Sequence, residues 1–413
     1  MLGKFKYGPV VFWSFAAKGS ALILFYSFQI YLARTAGIAE YGQWNVFYSI
    51  FSILAIIANC GINYSSQKHV AQYDGTARLS PVFGSALALR VGVSAVFMVV
   101  WFVLSGPIAF MAGRPDMAPF IAASAPLVFF TGTTEFFKEI FIGLGLVRNN
   151  FIINTLEYGI KLAFTVAVLK LASGLLPLVW AFSVALFITS LVSLFLARAR
   201  IAPGWRPDPA YVRTIAVYAL PLLVYEISNA VLSEVDTVVL GFLRGNYDVG
   251  VYSMAKQLLI KAPHLSVAIS MGIMPVFARL DSVNRHELKG LFYSLLKLNS
   301  AIAAVLAFFI LIFADVIMST LFGAAGGNAV GVLRIMCGYM VFSLFAVYSI
   351  YFLQYTGQAA RLALNMCVAI AADIALLFLL VPAIGAAGAA IAVSVSYGIF
   401  VVLNFMAIRK ALS

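Results

Sequence analysis

Long apolar runs recur along the whole chain, and they constrain its fold more than any other feature. A helix needs about 20 residues to cross the ~30 Å hydrocarbon layer of a bilayer. The runs do not alternate with a period of two, which argues against the strands of a membrane barrel. The sequence therefore predicts an all-α polytopic membrane protein with twelve transmembrane helices. These spans cover residues 10–34, 43–63, 81–105, 119–142, 151–172, 174–197, 212–241, 249–275, 290–313, 329–353, 362–382 and 386–408.

Composition agrees with this prediction. Hydrophobic residues make up 63% of the 413 residues and charged residues only 10%, whereas soluble domains carry about a quarter charged residues. Because the apolar residues are spread along the whole chain, a soluble enzyme with a single membrane-anchoring helix is excluded. The first apolar run is too long for a cleavable signal peptide, so we expect it to remain as a span. Cys60, Cys337 and Cys367 lie inside apolar runs and are interpreted as packing residues, without a metal site.

The basic residues predict the orientation. The formal charge of +12 would suggest nucleic acid as the partner of a soluble protein, but here we expect none, because Lys and Arg collect on one side of the membrane. Cytoplasmic loops of membrane proteins carry an excess of Lys and Arg, so both termini are predicted to lie in the cytoplasm. The membrane is predicted to be the inner, cytoplasmic membrane of the cell. The richer side holds Lys4, Lys6, Lys68, Arg78, Arg148, Arg198, Arg200, Arg206, Arg213, Arg279, Arg285, Lys289, Arg361, Arg409 and Lys410, and the other side Arg34, Arg114, Lys170 and Arg244.

The two halves of the chain repeat each other. One set of matches has a spacing of 208 positions: Gly37, Glu40, Gly42 and Trp44 correspond to Gly245, Asp248, Gly250 and Tyr252. A second set has a spacing of 211: Asn154, Gly174, Ser183 and Arg198 correspond to Asn365, Gly385, Ser394 and Arg409. An even number of spans in each half makes the repeats parallel. We therefore predict two six-helix lobes, 1–206 and 207–413, related by a pseudo-two-fold axis around a central cavity.

Two such lobes are typical of secondary transporters that work by alternating access. The chain shows no nucleotide-binding glycine loop, HExxH or GxSxG motif, so we expect neither an enzyme nor ATP-driven transport by this chain alone. No sequence typical of a channel selectivity filter stands out.

Several short motifs resemble one known family. They are Ala39–Gly42, Cys60–Asn63 and Ala71–Asp74 in the first half, and Leu220–Leu222, Glu234–Asp236, Leu240–Gly241, Val249–Ser253, Pro275–Leu280 and Gly385–Ala390 in the second. In this order they resemble the polysaccharide flippases, of O-antigen and capsule type, in the multidrug/oligosaccharidyl-lipid/polysaccharide (MOP) superfamily. The resemblance implies a twelve-helix exporter that moves polyprenyl-diphosphate-linked oligosaccharide from the cytoplasmic to the outer leaflet.

Two other functions stay open from the sequence. One is a cation-coupled multidrug exporter of the same superfamily, and the other is a membrane scaffold for polysaccharide assembly without transport. Peptidoglycan-precursor flippases usually have two more spans, which disfavours that branch. We expect a monomer without a bound cofactor, and leave open coupling to Na+ or H+. The partners implied are the lipid-linked oligosaccharide, the bilayer, a polysaccharide polymerase and glycosyltransferases.

Charged residues inside the spans are the candidate site. Each costs ~2.5 to 3.5 kcal/mol at mid-bilayer on the insertion scale, so it needs a partner, a wet cavity or a route to the interface. Lys138 and Arg334 lie near span ends and are expected to snorkel. The candidates for holding a diphosphate are Lys18, Arg90, Lys161, Lys256 and Lys261.

Alternatives remain for these cations. Lys18 and Glu226 occupy matching repeat positions and so could form a buried ion pair. Glu157 and Lys161 have the i,i+4 spacing of a self-neutralising pair. If residues 249–275 form one helix, Lys256 and Lys261 lie some 140° apart around it, so at most one faces a narrow cavity. Glu226 and Asp373 are the candidates for ion coupling or gating.

Overall fold

The computed structural model describes residues 8–171, 174–201, 203–270 and 285–412. In these residues all regular secondary structure is helical. The chain forms two compact units. The first comprises the residues through Thr35 together with Phe47–Ala230, and the second comprises Ala36–Val46 and the residues from Val231 onward.

Ten helices lie wholly or partly in the first unit. They are α1 Gly8–Ala36, α2 Ile38–Asn59, α3 Ile62–Gln72, α4 Leu79–Val103, α5 Ser105–Met111, α6 Ala118–Ala123, α7 Ala125–Gly143, α8 Val147–Leu171, α9 Leu176–Arg200 and α10 Pro209–Arg244. A short 3-10 helix, Pro115–Met117, precedes α6. Both α2 and α10 contribute residues to both units.

The remaining described helices belong to the second unit. They are α11 Asn246–Leu259, α12 Pro263–Ser270, α13 Arg285–Phe322, α14 Val330–Tyr355 and α15 Ala359–Leu412, with a 3-10 helix at Gly323–Ala329. Non-helical backbone at Ile384 and Gly385 kinks α15, and Gly385 has a positive φ of 54° that an L side chain rarely adopts. The kink coincides with the predicted boundary between the last two spans.

The helices are those of a multi-pass membrane protein. By length and composition, seven described stretches can cross a bilayer, or nine if each of two bent helix pairs counts as one span. Two of the seven, residues 286–354 and 360–412, each contain two helical segments. The all-helical fold is thus confirmed, whereas twelve crossings and the two-lobed repeat stay predictions.

Breaks or bends interrupt several of the predicted spans. Span 43–63 breaks at Cys60 and Gly61, which have positive φ values of 51° and 67°. Span 119–142 bends by 52° between α6 and α7. In span 249–275, α11 ends at Leu259 and α12 begins at Pro263, because proline lacks the N–H that a continuing helix requires. Residues 271–275 of that span, and the motif Pro275–Leu280, lie outside the described residues.

Aromatic side chains pack the core of each unit. In the first, Phe83 of α4 contacts Trp205 with ring centroids 4.8 Å apart and Phe136 of α7 at 6.1 Å. In the second unit, the ring centroids of Phe292 of α13 and Phe352 of α14 lie 5.0 Å apart. Large rings of this kind supply much of the buried apolar area that holds helices together.

Candidate functional site

A chain of alternating charges joins α7 to α8 in the first unit. The carboxylate of Glu157 accepts from Lys161 Nζ at 2.5 Å and lies 2.6 Å from Lys138 Nζ. Lys138 also contacts Glu135 at 2.7 Å. The i,i+4 pair expected from the sequence is therefore formed. Glu157 thus pairs with two lysines at once and is the centre of a buried network of ion pairs.

The expectation that Lys138 snorkels to the interface is wrong. Its side chain is only 8% exposed, because it turns toward Glu157 on the neighbouring helix instead of toward a span end. Lys161 forms further contacts with the rings of Phe182 at 5.4 Å and Tyr158 at 5.6 Å. Arg334, by contrast, is half exposed and pairs with Asp315 at 2.5 Å.

A second cluster lies where α2 ends. Arg90 of α4 is fully buried and donates through Nη1 to Asn59 Oδ1 at 3.1 Å and to the Asn59 carbonyl at 3.3 Å. Its Nε donates to Ser94 at 2.9 Å. The Asn59 carbonyl is available because the helix stops there, at the positive-φ residues Cys60 and Gly61. The break in α2 thus creates an acceptor for a buried guanidinium.

Asn59 also connects this arginine to Glu226. Its side-chain amide donates to both carboxylate oxygens of Glu226, at 3.3 and 3.2 Å. On its other side, the Arg90 guanidinium lies against Gly132, where a Cβ would overlap Nη2. Arg90 and Glu226, proposed separately from the sequence, are therefore joined through a residue that sequence reasoning missed.

Lys18 does not form the ion pair with Glu226 that the repeat suggested as an alternative. Its side chain on α1 is exposed, and no carboxylate of the described residues forms a salt bridge with it. Of the five candidate cations, it is the one that the described part of the chain leaves uncompensated.

In the second unit, Lys256 of α11 is buried against the C-terminal part of α10. Its ammonium group lies 2.8 Å from Asp236 Oδ1 and 3.4 Å from Glu234 Oε2. It also donates to the Ser233 carbonyl at 2.6 Å and to Thr237 Oγ1 at 2.9 Å. The other oxygen of Asp236 accepts from the Tyr252 hydroxyl. Every close partner of this lysine is an oxygen.

Asp236 is a site residue that the sequence analysis passed over. The predicted span ended at 241, which placed Asp236 near its edge. The helix continues to Arg244, and Asp236 is 1% exposed. The polar series from Ser233 to Thr237 within an apolar helix was the available signal.

Asp373 of α15 lies near this cluster. It is fully buried, and Ser396 donates to its Oδ1 at 3.1 Å. Its Oδ2 has no hydrogen-bond partner in the described structure. Asp236 and Lys256 both act on it electrostatically.

Lys261 occupies a different position from the one predicted. It lies in the turn between α11 and α12, so the angle of 140° from Lys256 around a single helix does not apply. It is partly exposed and acts electrostatically on Glu234. Across the described ranges, no group of three or more His, Cys, Asp or Glu side chains could hold a metal ion.

The described helices and their internal charges define a helical, multi-pass membrane protein. Among solved structures, the chain is similar to an inward-facing multidrug resistance MATE family transporter of the MOP superfamily, with a TM-score of 0.78 and 15% identity over 97% of this chain and 98% of that one. It is also similar to the lipid II flippase MurJ in an inward closed conformation, with a TM-score of 0.76 and 12% identity over 97% and 89% of the two chains.

Sequence comparison then gives the family. Residues 10–281 match the family described as polysaccharide biosynthesis protein, and the chain belongs to that family. The resemblance of the sequence motifs to a polysaccharide family is thereby confirmed.

Two curated relatives are similar to the chain. It is 23% identical, over 78% of its length, to the succinoglycan biosynthesis transport protein ExoT of Rhizobium meliloti. It is 19% identical, over 61%, to a putative O-antigen transporter of Shigella dysenteriae. The matches cover only 64% and 62% of these relatives' own lengths.

Proposed function

We propose that the protein is a flippase that moves a polyprenyl-diphosphate-linked oligosaccharide from the cytoplasmic to the outer leaflet for polysaccharide biosynthesis. Its family membership supports the polysaccharide class, and relatives with transport functions support movement across the membrane. The observation that carries the proposal within the structure is Lys18, a cation on a spanning helix that no described carboxylate neutralises. A diphosphate is the anion that such a lysine would attract.

The other four cations differ in how well they are placed for this role. Lys161 and Lys256 are bound by carboxylates, and Arg90 is sealed by Gly132 and Asn59. They could contact substrate only after a rearrangement, so we assign them to support the fold in this conformation. Lys261 remains a substrate candidate because it is partly exposed.

In the proposed transporter, residues 1–206 and 207–413 form two six-helix lobes, and both termini lie in the cytoplasm. Each of the twelve predicted spans contains helix in the described residues, and the glycines that precede α2 and α11, Gly37 and Gly245, share a φ of 85°. Reporter fusions after Arg78 and Arg206 are expected to report cytoplasm, and fusions after Arg114 and Arg244 the outside. One reproducible inversion would contradict this topology.

For coupling, we propose Asp373 as the group that exchanges a cation during transport. A buried carboxylate with one free oxygen requires a proton or a cation to neutralise it. Glu226 is less suited, because Asn59 occupies both of its oxygens. We assign Glu226 a gating or structural role.

Deletion of the gene in its native host tests the transport class. We expect loss of surface glycan and accumulation of the lipid-linked precursor in the cytoplasmic leaflet. Plasmid-borne wild-type protein should reverse both. Altered drug tolerance with normal glycan would favour a multidrug exporter, and lost glycan without accumulated precursor would favour an assembly scaffold.

A further inference from the structure

The surroundings of the Lys256 ammonium group resemble a site for a free monovalent cation. Four oxygens approach Nζ: the Ser233 carbonyl, Asp236 Oδ1, Thr237 Oγ1 and Glu234 Oε2, at 2.6, 2.8, 2.9 and 3.4 Å. An ammonium group has only three N–H donors, so this set saturates it. Oxygen ligands from carbonyl, hydroxyl and carboxylate groups are also those that hard metal cations prefer.

The oxygens are fixed independently of the lysine. Ser233, Asp236 and Thr237 lie within five residues of one helix, and the Thr237 backbone N–H donates to Asp236 Oδ1 at 2.6 Å. The Tyr252 hydroxyl donates to Oδ2 of the same carboxylate. Removing the lysine side chain would therefore leave a negatively charged set of oxygens in place.

Space is also available beside the lysine. A small cavity is lined by Asp236, Lys256, Tyr339 and Tyr397, together with the apolar side chains Leu232 and Met336. A hydrated ion that has lost most of its water, or a small ammonium ion, could reach the oxygens through the volume that the lysine side chain vacates.

We propose that Lys256 is a tethered cation: it occupies a monovalent-cation site formed by Ser233, Asp236 and Thr237, and so makes this part of the protein independent of Na+. The inference rests on the proposed function only in placing the site beside the coupling candidate Asp373. Its physical basis is that an uncompensated carboxylate as deeply buried as Asp236 is strongly destabilising, whichever cation neutralises it.

The experiment measures thermal unfolding of the purified full-length protein in NaCl, in ammonium chloride and in choline chloride at equal ionic strength. The measurements use an Asp373→Asn background, which removes the coupling candidate as a second cation site, and this parent protein should have the same Tm in all three salts. Lys256→Ala should have a lower Tm in choline chloride. NaCl or ammonium chloride should restore its Tm in a saturable manner, by roughly 2–5 °C, as for a ligand that binds only the folded state.

Two controls identify the site. Lys297→Ala removes an exposed lysine from α13 and should show no cation-specific recovery. Adding Asp236→Asn to Lys256→Ala should remove both the instability in choline chloride and the response to Na+. Lys256→Gln, which keeps most of the side-chain length and removes the charge, should respond as Lys256→Ala does and serves if the alanine variant does not fold.

A Na+-specific rise in the Tm of the Asp373→Asn parent, in which Lys256 is intact, would overturn the proposal. So would the absence of cation recovery in both Lys256 variants. These outcomes are separate from the proposed function, because precursor accumulation in the deletion strain does not depend on which cation Lys256 replaces.

Discussion

Gly42 and Gly250 contact each other's helices reciprocally. A Cβ on Gly42 would overlap the carbonyl oxygen of Asn246, and a Cβ on Gly250 would overlap the carbonyl oxygen of Ile38. Ile38 and Gly42 of α2 correspond to Asn246 and Gly250 of α11, 208 positions later, which is the spacing found in the sequence. The contact is therefore nearly symmetric, which is the relationship that a parallel repeat predicts.

This contact predicts matched effects of two substitutions. Gly42→Ala and Gly250→Ala should each destabilise the protein by about 1–3 kcal/mol, because backbone atoms cannot move aside for the added methyl group. Thermal unfolding of the purified variants measures the effect. Gly19→Ala is the control, since nothing lies within 4 Å of its Cβ position, and it should be neutral or stabilising. Unequal effects of the two substitutions would argue against a symmetric contact.

Glu157 should be far more important for stability than Glu135. Glu157→Gln leaves Lys138 and Lys161 buried with reduced compensation and is expected to cost about 3–5 kcal/mol. Glu135→Gln removes a carboxylate that is 45% exposed, and should cost no more than about 1 kcal/mol. The amount of folded protein recovered from membranes and its Tm check both values. Similar Tm values for the two variants would contradict the central role of Glu157.

Arg90 and Glu226 are expected to depend on each other. Arg90→Met should lower the amount of folded protein severely, because Asn59 loses its donor and Glu226 its nearby positive charge. Adding Glu226→Gln should recover part of that loss. A double-mutant cycle measured by thermal unfolding tests this coupling. Additive effects of the two changes would show that Asn59 does not connect the two charges.

Local spacing made some of these relationships predictable from the sequence. The pair Glu157–Lys161 follows from the geometry of one helix, and the 208-residue repeat identified the equivalence of Gly42 and Gly250. That the two glycines touch was not predictable, because contact depends on how separate helices pack.

The remaining partners are distant in sequence or depend on breaks in helices. Asp236 is 20 residues from Lys256, across the turn between two helices. The backbone carbonyl of Asn59 became an acceptor for Arg90 because α2 stops at Cys60 and Gly61, in the middle of an apolar run. Hydropathy reports where a span lies and carries no information about such an interruption.

Lys18 offers the sharpest test of substrate contact. A cation 4 Å from a phosphate contributes on the order of 4 kcal/mol at an effective dielectric of about 20, before desolvation is subtracted. Because no described carboxylate pairs with Lys18, Lys18→Ala should leave membrane abundance and Tm unchanged while strongly reducing glycan export. Lys18→Arg should restore part of the export, since it retains the charge.

Lys297→Ala, which removes another exposed lysine from a spanning helix, should export normally. Export and abundance measured in the same cells separate a binding role from a structural one. Normal export by an abundant Lys18→Ala variant would remove Lys18 from the substrate path, whereas a loss of abundance matching the loss of export would make it a structural residue.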